Sequence, residues 1–83
     1  MHFDNRKNDE PKERNIASRI FSIDGEPIME CFLKEIFWMG ARIVVAYYPE
    51  EIPDSFRLQI YNIRPKCRVK WRKGNELGIE FCH

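Results

Sequence analysis

Beyond position 15 the chain alternates apolar and polar side chains in short runs, broken by turn residues roughly every 8–12 positions. A period of two is that of a strand with one face buried. The first run, 15–23, stops at Asp24-Gly25, a pair suited to a type I′ hairpin turn because glycine adopts positive φ at little cost. Pro27 follows at a strand start, where its missing N–H does no harm. In the second run, 28–36, Met29, Cys31 and Leu33 alternate with Glu30, Phe32 and Lys34, and Phe32 is an aromatic on the otherwise polar face. The third, 41–48, is apolar on both faces except at Arg42, and the two prolines of 49–55 end it. Run 56–61 sets Phe56, Leu58 and Ile60 against Arg57, Gln59 and Tyr61. Run 66–72 places Cys67, Val69 and Trp71 inward and Arg68, Lys70 and Arg72 outward. After a turn at Gly74-Asn75, run 76–82 puts Leu77, Ile79 and Phe81 on one face. These runs and short turns predict an all-β chain, a small closed or nearly closed six-stranded barrel, since closure removes the edges a small β protein must avoid exposing.

Residues 1–14 break the pattern. Only Met1 and Phe3 are apolar among charged residues, amides and a proline, which predicts a flexible N-terminal arm followed by the barrel domain at 15–83. With 83 residues in all, one domain is expected. A chain this short buries only about 60–65% of its unfolded surface, so partners matter for its stability. Lys and Arg total 14 against 13 Asp and Glu, a net charge of +1. That balance speaks against a general nucleic-acid coat or a polybasic membrane anchor. No apolar run approaches the ~18 residues of a membrane span, and the first residues contain no apolar segment of signal-peptide type. A cytoplasmic protein without membrane insertion is expected. The three cysteines, Cys31, Cys67 and Cys82, form no CxxC motif and read as small buried apolar groups. His2 and His83 stand at the two ends, with no ligand set around either, so no metal is expected. Without a Ser/His/Asp set, a Gly-rich phosphate loop or a paired-carboxylate site, neither an enzyme nor a cofactor is expected.

The segment 67–81 carries Cys67, Val69, Trp71 and Arg72, a turn, and then Gly78, Ile79, Glu80 and Phe81. It resembles the closing strands of the PilZ domain family. Segments 52–60, 28–43 and 18–22 are similar, in order and spacing, to the family's earlier strands, so the resemblance runs from about residue 14 to the C-terminus. It implies a six-stranded antiparallel barrel, bacterial signalling and binding of cyclic di-GMP. In the family that binding rests on an RxxxR element before the barrel and a (D/N)xSxxG element between its second and third strands. An arginine fork pairs with phosphate oxygens or a guanine edge, while the small residues allow short hydrogen bonds and close backbone approach.

Both elements are degenerate here. The arm offers Arg6, Lys7 and Arg14, none followed four residues later by arginine. The second element aligns with 35–40, where Glu35 replaces Asp or Asn, Phe37 replaces Ser, and Gly40 is retained. A hydrogen bond to a charged group is worth ~1.5–3 kcal/mol, so losing two costs ~3–6 kcal/mol, or roughly 10²–10⁴ in affinity. Cyclic di-GMP binding is therefore expected to be weak or lost. The alternative is a functional receptor in which Arg6, Lys7 and Arg14 replace the usual arginines.

In place of the polar loop stand Phe37, Trp38 and Met39. Three consecutive apolar side chains cannot all point inward from a tight loop. Either Phe37 and Met39 turn onto the barrel with Trp38 outward, or the three join Phe32, and Tyr47 or Tyr48, in a patch for a protein partner or self-association. A third reading uses Arg68, Lys70 and Arg72, with Arg64 and Lys66, as a cationic strip for nucleic acid. A solvated strand face paired with Glu76 and Glu80 is the simpler expectation, and makes nucleic acid an unlikely partner.

Overall fold

The computed structural model describes residues 15–82. Six strands form a closed barrel: β1 (Ile16–Phe21), β2 (Pro27–Ile36), β3 (Gly40–Val44), β4 (Ser55–Leu58), β5 (Lys66–Lys73) and β6 (Glu76–Phe81), with a 3-10 turn at Pro49–Glu51. Around the barrel the order is β1-β2-β3-β6-β5-β4, every neighbour antiparallel. The expected all-β six-stranded barrel is what the chain forms.

The alternation supplies the core. Ile20, Leu33, Ile43, Phe56, Leu58 and Leu77 are almost wholly buried, joined by Cys31, Cys67 and Ile79. Among the described residues no polar or charged side chain is buried. The core is therefore held by apolar burial, at ~25 cal/mol per Å², with no internal polar network.

A register shift in β2 leaves Lys34 as an extra residue and sets Glu35 opposite Arg42, and three further irregularities move side chains away from the simple alternation. Between β1 and β2 the loop 22–26 is closed by Ser22 N–H to Glu26 O (2.7 Å) and Gly25 N–H to Ser22 O (2.9 Å). Gly25 takes φ 97°, while Asp24 does not reach positive φ. The expected type I′ turn, which needs two such residues, is replaced by a longer loop with one left-handed glycine and a register shift beside Phe21. The strand expected over 41–48 stops at Val44, because Tyr48 turns left-handed (φ 55°) to start the 3-10 turn.

The third irregularity is in β5. The register shifts between Val69 and Trp71, leaving Lys70 as the extra residue. An extra residue inverts the parity of everything after it. Trp71, expected inward, faces outward opposite Gly78 and is 43% exposed. Its indole lies where a β-carbon on Gly78 would stand, 2.1 Å from Nε1, so the pair works only with glycine. Arg72, expected outward, shares a face with the buried Leu77. It reaches across the end of the barrel and donates to Pro49 O (3.2 Å), Ile52 O (2.8 Å) and Asp54 Oδ1 (2.9 Å).

The seam that closes the barrel is narrow. β1 and β4 share only the pairs Ile20↔Leu58 and Phe21↔Arg57. Gln59 extends it, its N–H donating to Arg19 O (3.0 Å) and its carbonyl accepting from Ser18 Oγ.

Candidate functional site

The β2–β3 hairpin projects from the end of the barrel opposite Arg72. Phe37 N–H donates to Gly40 O (2.7 Å) and Gly40 N–H to Phe37 O (3.4 Å), which leaves Trp38 and Met39 at the corners of a tight turn. Neither corner residue takes positive φ, as expected for positions without Gly or Asn. The turn is tied to β6 by Phe81 N–H donating to Met39 O (2.7 Å). All three apolar side chains are exposed: Phe37 43%, Trp38 84% and Met39 51%. The inward packing of Phe37 and Met39 is not what the hairpin adopts.

The remaining candidates are placed as follows. Gly40 pairs with Glu80 on β6, and a β-carbon there would meet the Ile79 carbonyl oxygen at 2.0 Å. Close backbone approach to β6 thus accounts for this glycine without any ligand. Glu35 faces Arg42 (Oε1 to Nε 3.3 Å), and Arg42 also reaches Glu76 (3.5 Å). Arg6, Lys7 and Arg14 lie outside the described residues.

Phe32 is exposed, but it does not join the tip. It pairs with Ala17 and Val44 on the outer wall, five residues back from Phe37, about 16 Å along the strand. Tyr47 and Tyr48 pack at the far end, their ring centroids 6.2 Å apart. The patch read from the sequence is therefore three separate regions, and only Phe37, Trp38 and Met39 are contiguous.

The cationic strip is broken in two places. Arg68 is held by Glu80 (3.1 Å), whose hydrogen bond and charge raise the guanidinium pKa above its ordinary value. Arg72 is turned to the loop carbonyls as described. Glu76, expected opposite the strip, reaches Arg42 instead. Burial pushes the thiols of Cys31 and Cys67 up to about 12, so both are protonated and unreactive near neutrality. Cys82 is half-buried. Among the described residues no three metal-ligating side chains converge, and no helix is long and apolar enough to cross a membrane.

Sequence reading missed a second feature, a groove of about 420 Å³ on the outer wall between β1, β2 and the 59–65 loop. Arg64 sits over the Phe21 ring, its Cζ 3.9 Å from the centroid, and donates through Nε to Gln59 Oε1 (2.7 Å). Phe21 is buried yet stands outside the barrel core, under this guanidinium. The exposed Phe32 and the run of arginines were visible in the sequence, but the β1 bulge and loop that bring them together were not.

The fold and its exposed tip define the class, a closed six-stranded antiparallel barrel with an apolar hairpin end. No family model, curated protein or solved structure matches the chain.

Proposed function

We propose that this chain is a PilZ-like bacterial signalling or adaptor module that acts by binding a protein through Phe37, Trp38 and Met39, with cyclic di-GMP binding weak or lost. The observation that carries the reading is the tip itself. Trp38, 84% exposed at the corner of a turn, contributes little to the barrel, and flanking it are two further half-exposed apolar side chains. Aromatic and Met side chains are enriched at the centres of protein interfaces. The protein-binding surface is the tip alone, without Phe32. Weak nucleotide binding follows from the same place: Phe37 presents a ring where a hydroxyl is needed, and the Glu35 carboxylate is already engaged by Arg42.

Two measurements test this. Trp38→Ala should leave the fold intact while lowering self-association or partner capture at least about tenfold, as expected for an interface hot spot. An unchanged solution mass and unchanged capture would sink the tip as the interface. Titration calorimetry with cyclic di-GMP should give no saturable low-micromolar binding, and saturable binding would restore the receptor reading built on Arg6, Lys7 and Arg14.

A further inference from the structure

We infer that the outer-wall groove is a binding site for a small aromatic oxyanion, a phosphate or carboxylate carried on a flat ring. It lies on a different wall from the hairpin tip, and the inference does not depend on the reading of that tip.

Several features converge there. The groove's volume, about 420 Å³, falls in the range of small-molecule sites. Arg64 has no carboxylate within ion-pairing distance among the described residues. Its guanidinium is nevertheless fixed, by the ring of Phe21 below and by Gln59 at its side. Ordering a long arginine side chain costs rotamer entropy, and here the fold has already met that cost before any ligand arrives.

The loop that carries Arg64 is itself constrained. Ile60 and Ile63 exchange backbone hydrogen bonds of 2.8 and 2.9 Å, and Leu58 N–H donates to Pro65 O (3.2 Å). Between them Tyr61 takes φ 53°, a conformation sparsely populated by residues other than glycine, and such strain clusters at binding sites.

The opposite wall supplies Phe32, 45% exposed on a face where alternation calls for a polar residue. Its ring offers a stacking surface for a flat group. Arg19 and Glu30 face each other at the rim across 3.2 Å, with side chains 53% and 79% exposed. An exposed pair of this kind is weak and opens readily, so Arg19 is free to turn to an incoming anion. With Glu30 counted against Arg19, Arg64 leaves one net positive charge in the groove. The planar guanidinium fork matches a carboxylate or phosphate in two parallel hydrogen bonds.

The test is an NMR titration of the full chain with phenyl phosphate, with inorganic phosphate as comparator. Phenyl phosphate should shift the signals of Phe32, Gln59 and Arg64 saturably, and inorganic phosphate should bind about tenfold or more weakly, because it lacks the ring. Arg64→Ala should weaken phenyl phosphate about tenfold or more, the scale of one charged hydrogen-bonding partner. Phe32→Ala, at a half-exposed position that the core does not need, should weaken it while leaving inorganic phosphate unchanged. This second variant keeps the test sharp if Arg64→Ala destabilises its loop. Trp38→Ala should have no effect. Absence of saturable shifts, equal affinity for inorganic phosphate, or shifts confined to the 37–39 tip would each overturn the assignment.

Discussion

The two ends of this barrel are finished in opposite ways. At one end Arg72 crosses from β5 to the carbonyls of Pro49 and Ile52, and Asn75 Nδ2 donates to Ala46 O (3.3 Å), so side chains tie the loops to the strands. At the other, backbone hydrogen bonds close the β2–β3 turn and tie it to β6, and Trp38 stands in solvent between the half-exposed Phe37 and Met39. Where polar side chains close the loop carbonyls, each residue has a structural task. Where the backbone does that work, the side chains are released from folding. A Trp this exposed suits the proposed binding surface, because its burial energy is still available to a partner.

The sharpest way to break the comparison is at Gly40, the backbone anchor of the apolar end. Gly40→Ala drives a β-carbon into the Ile79 carbonyl, and backbone cannot move aside cheaply. A loss of about 3 kcal/mol or more is expected in chemical denaturation. Next comes Arg72→Ala at the sealed end. It removes hydrogen bonds to two carbonyls and an exposed contact with Asp54, and should cost about 1–3 kcal/mol, most of it from Pro49 and Ile52. If Arg72→Ala proved neutral, the contrast between the two ends would collapse.

A third expectation concerns the core that both ends share. Cys31 and Cys67 hold their protons in the folded state up to about pH 12, whereas unfolded thiols release them near 9. Protons bound more tightly by the folded chain stabilise it below the unfolded value, and that contribution is lost as pH rises further. Stability should therefore be insensitive to these thiols below about pH 8.5 and fall above about pH 9, by roughly 1.4 kcal/mol per pH unit for each thiol. Urea titrations at several alkaline pH values measure this; a flat profile between pH 9 and 11, or rapid labelling of both thiols at neutral pH, would contradict it. The smallest effect should be Trp38→Ala, within about 0.5 kcal/mol of the parent in stability, since a surface side chain away from caps and packing is nearly neutral. A larger loss would mean that Trp38 supports the barrel after all.

Much of the barrel was legible because its alternation is strict. Phe56, Leu58 and Ile60, or Leu77 and Ile79, are buried as their spacing demands. The bulge at Lys70 was not legible, because no glycine or proline marks it; Gly78 across the sheet was the available hint that a large side chain needed room there. The same hidden residue dissolved the expected Arg68–Lys70–Arg72 row. At the tip, three adjacent apolar residues told of exposure but not of how much, since that depends on how tightly the turn is drawn to β6. The separation of Phe32 from Phe37 was readable from the length of one strand. The groove was not, since it depends on a register shift in the β1–β2 ladder and a loop conformation at 59–65 that no run of residues announces.

That narrow meeting of β1 and β4 also bears on how the molecule opens. Its two residue pairs join positions 36 and 38 residues apart in the chain, whereas the ladders on either side pair strands that follow one another. Local hairpins assemble first and the distant join last, so breathing should begin by unzipping along Arg57 and Leu58. Deuterium should enter the Gln59 amide, which donates across this join to Arg19 O, ahead of the amides in the long β1–β2 ladder.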